Sequence, residues 1–191
     1  GVKHGLWTSW NNADHKKGEE TYVNGVLDGM VTVWHDNGNK DREGIIRGNE
    51  PEGSWTYFFA DGTEDFRFDY GSGLDRVRIS ELEERDDVFF KIGKHKPYSG
   101  IVVESGGVKD YLLLGRFQKG KRDGQWVQWY RNGQKEVEGT YYKGKKNGDW
   151  TLWYEDGTLK EKGKFSMGET DGLYKYWYAN GHLHMEQSYE N

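Results

Sequence analysis

A glycine followed two residues later by a large apolar side chain recurs along this chain at a fixed interval, and nothing else limits its fold as strongly. These glycines stand at Gly5, Gly29, Gly53, Gly100, Gly124, Gly148 and Gly172, in steps of 24, 24, 47, 24, 24 and 24 residues. The long step has room for one degenerate unit beginning near Val77. A short unit repeated in this way is one supersecondary element that cannot bury its apolar face alone, so neighbours must stack.

Counted from each origin glycine, three rows emerge. The +2 row is Trp7, Val31, Trp55, Val102, Trp126, Trp150 and Tyr174. The +5 row is Trp10, Trp34, Phe58, Ser105, Trp129, Trp153 and Trp177. The +17 row is Tyr22, Ile46, Tyr70, Phe117, Tyr141, Phe165 and Tyr189. Only Ser105 breaks the apolar rule. At +9 most units carry glycine preceded by Asn or Asp: Gly38, Gly62, Gly133, Gly157 and Gly181.

Asn-Gly or Asp-Gly between two aromatic runs predicts a β-hairpin whose two central residues both take positive φ. In the unit at Gly124 the strands are expected at Gln125–Tyr130 and Lys135–Tyr142. The phrase "KGKKNG" then turns the chain into the next hairpin. A helix is disfavoured, since each interior glycine costs about 1 kcal/mol relative to alanine. The expected fold is all-β: an elongated, open, twisted antiparallel meander of about eight repeated hairpins. Residues 1–73 hold three units, 74–99 a degenerate unit or joint, and 100–191 four units, in one array.

Composition agrees with a folded chain built on rings. Apolar residues make up only 34%, but aromatics reach 16%, which a disordered chain would lack. The 28 glycines and 2 prolines suit many tight turns. With no cysteine, disulfides and thiolate metal sites are excluded. Net charge is −5, which disfavours general nucleic-acid binding, and no apolar run approaches membrane-span length. The chain begins with Gly1, so the compartment stays open between cytoplasm and, were a leader removed, periplasm or cell surface.

The phrase "GxWxxWYxNGxxKxEGxYxxGKxxG", clearest at Gly124–Lys143 and Gly148–Lys164, resembles the variant MORN repeat (membrane occupation and recognition nexus) of bacterial proteins. "KPYSGIVV" at Lys96–Val103 resembles a re-entry phrase of such arrays, and the match is poor over Leu74–His95. The resemblance implies a single-layer hairpin meander with a groove. It also implies the function of bacterial antitoxin or immunity proteins that carry such repeats: binding and neutralising a partner toxin without catalysis.

Within that frame, the +2 and +17 rows are expected as core. The +5 tryptophans, Trp10, Trp34, Trp129, Trp153 and Trp177, are the candidate binding row, since aromatics concentrate at binding hot spots. The acidic stretch Asp61–Asp87 holds 10 acids against 4 bases. Within it Glu83, Glu84, Asp86 and Asp87 are a second candidate surface, suited to a basic partner. "SELEERDD" suits a short helical turn capped by Ser80. His182 and His184 share a strand face but have no third ligand beside them, so no metal is assigned. The basic groups Lys119, Lys121 and Arg122, and Lys143, Lys145 and Lys146, are expected along a sheet edge, where lysine blocks edge pairing. "GSG" at Gly71–Gly73 and "SGG" at Ser105–Gly107 are expected as turns. No nucleophile motif, acid pair or cofactor loop is present, so the expectation is a non-enzymatic protein-binding scaffold. The alternative is an envelope module stacking glycans or lipid headgroups on tryptophan.

Overall fold

The computed structural model describes residues 1–11, 14–71, 74–105 and 111–190. The turns expected at Gly71–Gly73 and Ser105–Gly107 extend outside these residues. The chain forms two compact units, Gly1–Leu74 and Asp75–Asn191.

The first unit is one six-stranded antiparallel meander in chain order. Its strands are β1 (Gly5–Trp10), β2 (Lys16–Val23), β3 (Val26–Trp34), β4 (Lys40–Arg47), β5 (Glu50–Phe58) and β6 (Glu64–Asp69). The second unit opens with β7 (Arg76–Val77), a 3-10 turn (Ile79–Glu81), and the hairpin β8 (Leu82–Arg85) and β9 (Val88–Lys91). The meander then resumes with β10 (Gly100–Ser105), β11 (Tyr111–Gln118), β12 (Lys121–Arg122), β13 (Gly124–Trp129), β14 (Lys135–Tyr142) and β15 (Lys145–Trp153). It ends with β16 (Leu159–Ser166), β17 (Glu169–Thr170), β18 (Gly172–Trp177) and β19 (Leu183–Tyr189). The all-β hairpin meander expected from the period is what forms.

The turn chemistry differs from expectation. At the Asn/Asp-Gly loops only the glycine has positive φ, for example +86° at Gly133. Gly133 N–H donates to Tyr130 O (3.0 Å) and Tyr130 N–H to Gln134 O (2.8 Å). This is a type I turn closed by a left-handed glycine, a longer hairpin loop. The same pair of bonds recurs at Gly38, Gly62, Gly157 and Gly181. Two successive positive-φ residues occur instead at the linkers: Asn24–Gly25, Gly48–Asn49, Lys119–Gly120, Lys143–Gly144 and Met167–Gly168. There strand partners such as Tyr142 and Lys145 leave only two residues between them, the geometry that suits a type I′ turn.

The origin glycine has its own task. Across β14 and β15, Glu138 pairs with Thr151 and Thr140 with Asn147, so Gly148, Asp149 and Trp150 together face the single residue Gly139. Gly148 takes φ +78° at this bulge, a conformation glycine adopts without penalty. The bulge lays the Trp150 ring over Gly139, where an added Cβ would come within 2.2 Å of a ring carbon. Gly44 seats Trp55, Gly115 seats Trp126, and Gly163 seats Tyr174 in the same way. The indole N–H groups of Trp55 and Trp150 donate to Ile45 O (3.0 Å) and Thr140 O (3.1 Å).

The seated rings and the +17 rings form a continuous edge-to-face ladder: Phe117, Trp126, Tyr141, Trp150, Phe165, Tyr174, with centroids 4.9–6.2 Å apart. Such contacts add about 0.5–1.5 kcal/mol per pair beyond area burial. Trp55, Trp126, Trp150 and Tyr174 are buried, so the +2 row is core there. Trp7 is the exception, 46% exposed on edge strand β1. Successive loops are tied across the period: Tyr130 and Tyr154 hydroxyls donate to Trp153 O and Trp177 O, each at 2.9 Å. Asn132 and Asn37 amides donate to Glu155 O (2.7 Å) and Ala60 O (2.6 Å).

The degenerate stretch does not pair as a unit of the meander, and its helical part is one 3-10 turn, Ile79–Glu81. β7 pairs parallel to β10, Arg76 with Ile101 and Val77 with Val102. β8 and β9 form their own two-stranded sheet, turned by Asp86 and Asp87 at φ +51° and +58°. The 3-10 turn starts at Arg78, whose N–H donates to the Glu81 carboxylate (2.9 Å), so Ser80 lies inside the turn and is not its cap. Ile79, Leu82 and Phe89 pack against Val77, Tyr98, Val102, Leu113, Phe117 and Trp126. The stretch thus closes one end of the second unit's core.

Candidate binding cleft

Side chains alternate across a strand, and directly paired residues share a face. On one face of the second unit lie Trp126, Gln128, Val137, Gly139 and Tyr141, linked by the pairs Trp126–Gly139 and Gln128–Val137. The same row continues through Glu104–Leu113, Leu113–Gln128 and Val137–Leu152. An open cleft of about 710 Å³ lies over this face. Its floor is the Trp126–Tyr141–Trp150 part of the ladder, with Leu113, Val137 and Leu152 beside it and Ile79 at its wall.

Besides Arg131 in the loop after β13, two cations 24 positions apart line the cleft and lie over its rings. The Arg122 guanidinium lies over Trp126 (5.1 Å), Phe89 (5.2 Å) and Tyr141 (5.5 Å). The Lys146 ammonium lies over Trp150 (4.4 Å) and Phe165 (4.9 Å). In the first unit Lys3 takes the equivalent place over Trp7 (4.8 Å) and Tyr22 (4.5 Å). Ring faces attract such cations through their quadrupoles. Burial holds the Lys146 pKa below the usual lysine value, only partly offset by Glu161. Glu161 itself accepts the Tyr174 hydroxyl (3.0 Å). At the other end of the cleft stand Glu104 and Glu136, the latter accepting the Gln128 amide (2.8 Å). Arg131 lines that end as well. The cleft is therefore basic at one end, apolar along its middle and mixed in charge at the other, where two acids meet one arginine.

Composition and period placed Arg122 and Lys146 in edge-blocking clusters. The structure divides those clusters. Lys119 and Lys143 occupy the first position of two-residue turns, while Arg122 and Lys146 fold inward over the rings. The available signal was the spacing itself: both stand two residues before an origin glycine, as Lys3 does.

Strand alternation directs the +5 tryptophans to the opposite face, but Trp129 also lines the cleft, beside Gln128 and Tyr130. β14 carries one extra residue, Glu136, opposite the Gln128/Trp129 step, so Lys135 emerges beside Trp129. Lys135 then pairs with Glu138 (2.8 Å) and reaches over Trp153 (5.5 Å). Lys16 repeats this with Glu19 (2.5 Å) and Trp34 (5.5 Å). Trp129 is 4% exposed and Trp10 55% exposed; Trp34, Trp153 and Trp177 are half-buried. This row is thus not one continuous open platform. Of the acidic candidates, Asp86 and Asp87 form the turn between β8 and β9. Glu83 accepts Gly93 N–H (3.1 Å) and faces Arg85 (3.4 Å), and Glu84 is exposed. His184 packs on Tyr178, with centroids 4.2 Å apart. Among the described residues no three His, Asp or Glu side chains gather in a metal-binding group, and no helix is long and apolar enough to cross a membrane.

The family model described as MORN repeat variant matches three consecutive segments, residues 122–143, 146–166 and 170–191. Two of these segments begin at or beside the cleft cations, Arg122 and Lys146. Over residues 122–191 the chain is thus similar to an array of MORN-type repeats. No curated protein aligns with the chain.

Proposed function

We propose that this chain is a non-catalytic module that binds another protein, and that the cleft of the second unit is its binding surface. The observation that carries this reading is the cleft itself: an open recess with an apolar middle, two cations at one end and polar, mixed-charge groups at the other. Binding sites are concave, largely apolar and oriented by a few polar groups. In the finer version the bound protein is a toxin and this chain its antitoxin or immunity protein. The likeness to repeats of bacterial antitoxins supports that version. Stacking of glycans or headgroups on the +2 rings is less favoured, because Trp150 is 2% exposed and lies beneath Lys146.

The test is co-expression with the product of the neighbouring reading frame. The reading expects a one-to-one complex, relief of that product's growth inhibition, and at least tenfold weaker binding by Leu152→Arg, with the variant's melting curve as a check on folding. A neighbouring product that neither inhibits growth nor binds sinks the toxin version. A complex indifferent to Leu152→Arg removes the cleft from the interface.

A further inference from the structure

We infer that the basic end of this cleft recognises acidic side chains on an extended segment of the partner, one carboxylate meeting Arg122 and a second meeting Lys146. The inference rests on the reading of the cleft as a binding surface and names the chemistry it selects.

Both cations lie over rings, with Glu161 the acid that acts on Lys146. Arg122 has its guanidinium over Trp126, Phe89 and Tyr141, and Lys146 has its ammonium over Trp150 and Phe165. A ring occupies one side of a cation and leaves its remaining N–H donors free to take an anion. Lys146 is also partly desolvated, which lowers its pKa. An ammonium short of water gains more from an incoming carboxylate than one fully hydrated, because the effective dielectric there is lower.

Spacing supports a pair of acids. Arg122, on β12 beside β11, accepts Gly144 N–H at its carbonyl (2.8 Å), two residues before Lys146, which keeps the two backbones within about 13 Å of each other. Alternate side chains of an extended peptide share one face about 7 Å apart, and the reach of glutamate or aspartate spans the rest. Charge complementarity favours such a segment over a membrane or a nucleic acid. Glu104 and Glu136 stand at the far end of the same cleft. Arg131 lines the cleft there too, so that end holds two acids to one base; it does not extend the basic end for a continuous anionic surface and tolerates a short acidic stretch that ends, or turns basic, before reaching it.

The test uses the whole chain and fluorescein-labelled short peptides with glutamate at alternate positions, read by fluorescence anisotropy. Controls are the same peptide with glutamine, the same with lysine, and vesicles of phosphatidylserine mixed with phosphatidylcholine. The proposal expects the glutamate peptide to bind at least tenfold more tightly than the glutamine peptide. It further expects Lys146→Gln to remove most of that preference and Lys146→Arg to retain it. Arg122→Gln supplies the second half of the test if its melting curve stays normal; otherwise Lys146→Glu, which should favour the lysine peptide, replaces it. Equal binding of glutamate and glutamine peptides, or vesicle binding without peptide binding, overturns the inference. Binding without acid preference that Leu152→Arg abolishes leaves the cleft as the interface and refutes the acid recognition alone. Loss of acid preference in Lys146→Gln together with indifference to Leu152→Arg refutes the cleft reading instead.

Discussion

Replacing Gly139 by alanine tests whether the seat beneath each +2 ring is what fixes the meander's spacing. Gly139 is directly under Trp150, with no room for a Cβ unless the ring moves. Overpacking of this kind costs about 1–3 kcal/mol. Displacing the indole also strains its hydrogen bond to Thr140 O, worth about 1 kcal/mol. Gly139→Ala should therefore destabilise the second unit by about 3 kcal/mol. With a typical urea dependence, that lowers the unfolding midpoint by about 1.5 M. The first unit shows what relieves the clash: Glu20 stands where Gly139 does, and its partner across β2 and β3 is the smaller Val31. In a Trp150→Val background, itself less stable, adding Gly139→Ala should be neutral or stabilising by about 0.5 kcal/mol, because alanine restricts the unfolded chain more than glycine. Urea unfolding followed by circular dichroism measures all four proteins without relying on tryptophan. If Gly139→Ala costs the same with and without Trp150, the two residues are not coupled and the seat is not the reason for the glycine.

Two further outcomes follow from the turns and the buried hydroxyls. Met167 takes φ +50° in the first place of its two-residue turn, where Asn24 stands in an equivalent turn; Met167→Asn should raise stability by about 1 kcal/mol, read as a higher urea midpoint. Burial first, then neighbouring acids, raises the pKa of Tyr98 and Tyr174 above the usual value of 10. The folded state then holds protons that the unfolded state releases, so their contribution is present below pH 10 and lost as pH climbs above it. Absorbance at 295 nm should show these hydroxyls ionising only with unfolding, and Tyr174→Phe should flatten the alkaline loss of stability; early ionisation of all tyrosines in the folded protein would contradict the burial argument.

Much of the cleft was hidden in the sequence for a physical reason. The rows of rings follow from a period that any reader can count, but a period does not say which residue of the next strand lies under a ring. That depends on the bulge at Gly148, which sets three residues against one and slides Trp150 over Gly139. Arg122 and Lys146 read as ordinary linker bases because their contacts, with Trp126, Tyr141 and Trp150, are made across strands. The +5 row read as a groove because strand alternation alone places it opposite the core; the extra residue Glu136 then brings Lys135 to that face. The Leu74–Lys94 stretch lacked the pattern altogether, so its own hairpin and its parallel pairing with β10 could not be anticipated from it.

The sequence by itself determined that this chain is a meander of hairpins, where the repeated loops fall and that the +2 row supplies most of the ladder's core rings, because those are local patterns repeated every 24 residues; exposed Trp7 and buried Trp129 are the exceptions. Only the tertiary structure decided the register between hairpins, the glycine seats, the type of each turn and the inward course of two cations. Those features arise from pairing between strands, where one residue of slip exchanges the two faces of the sheet.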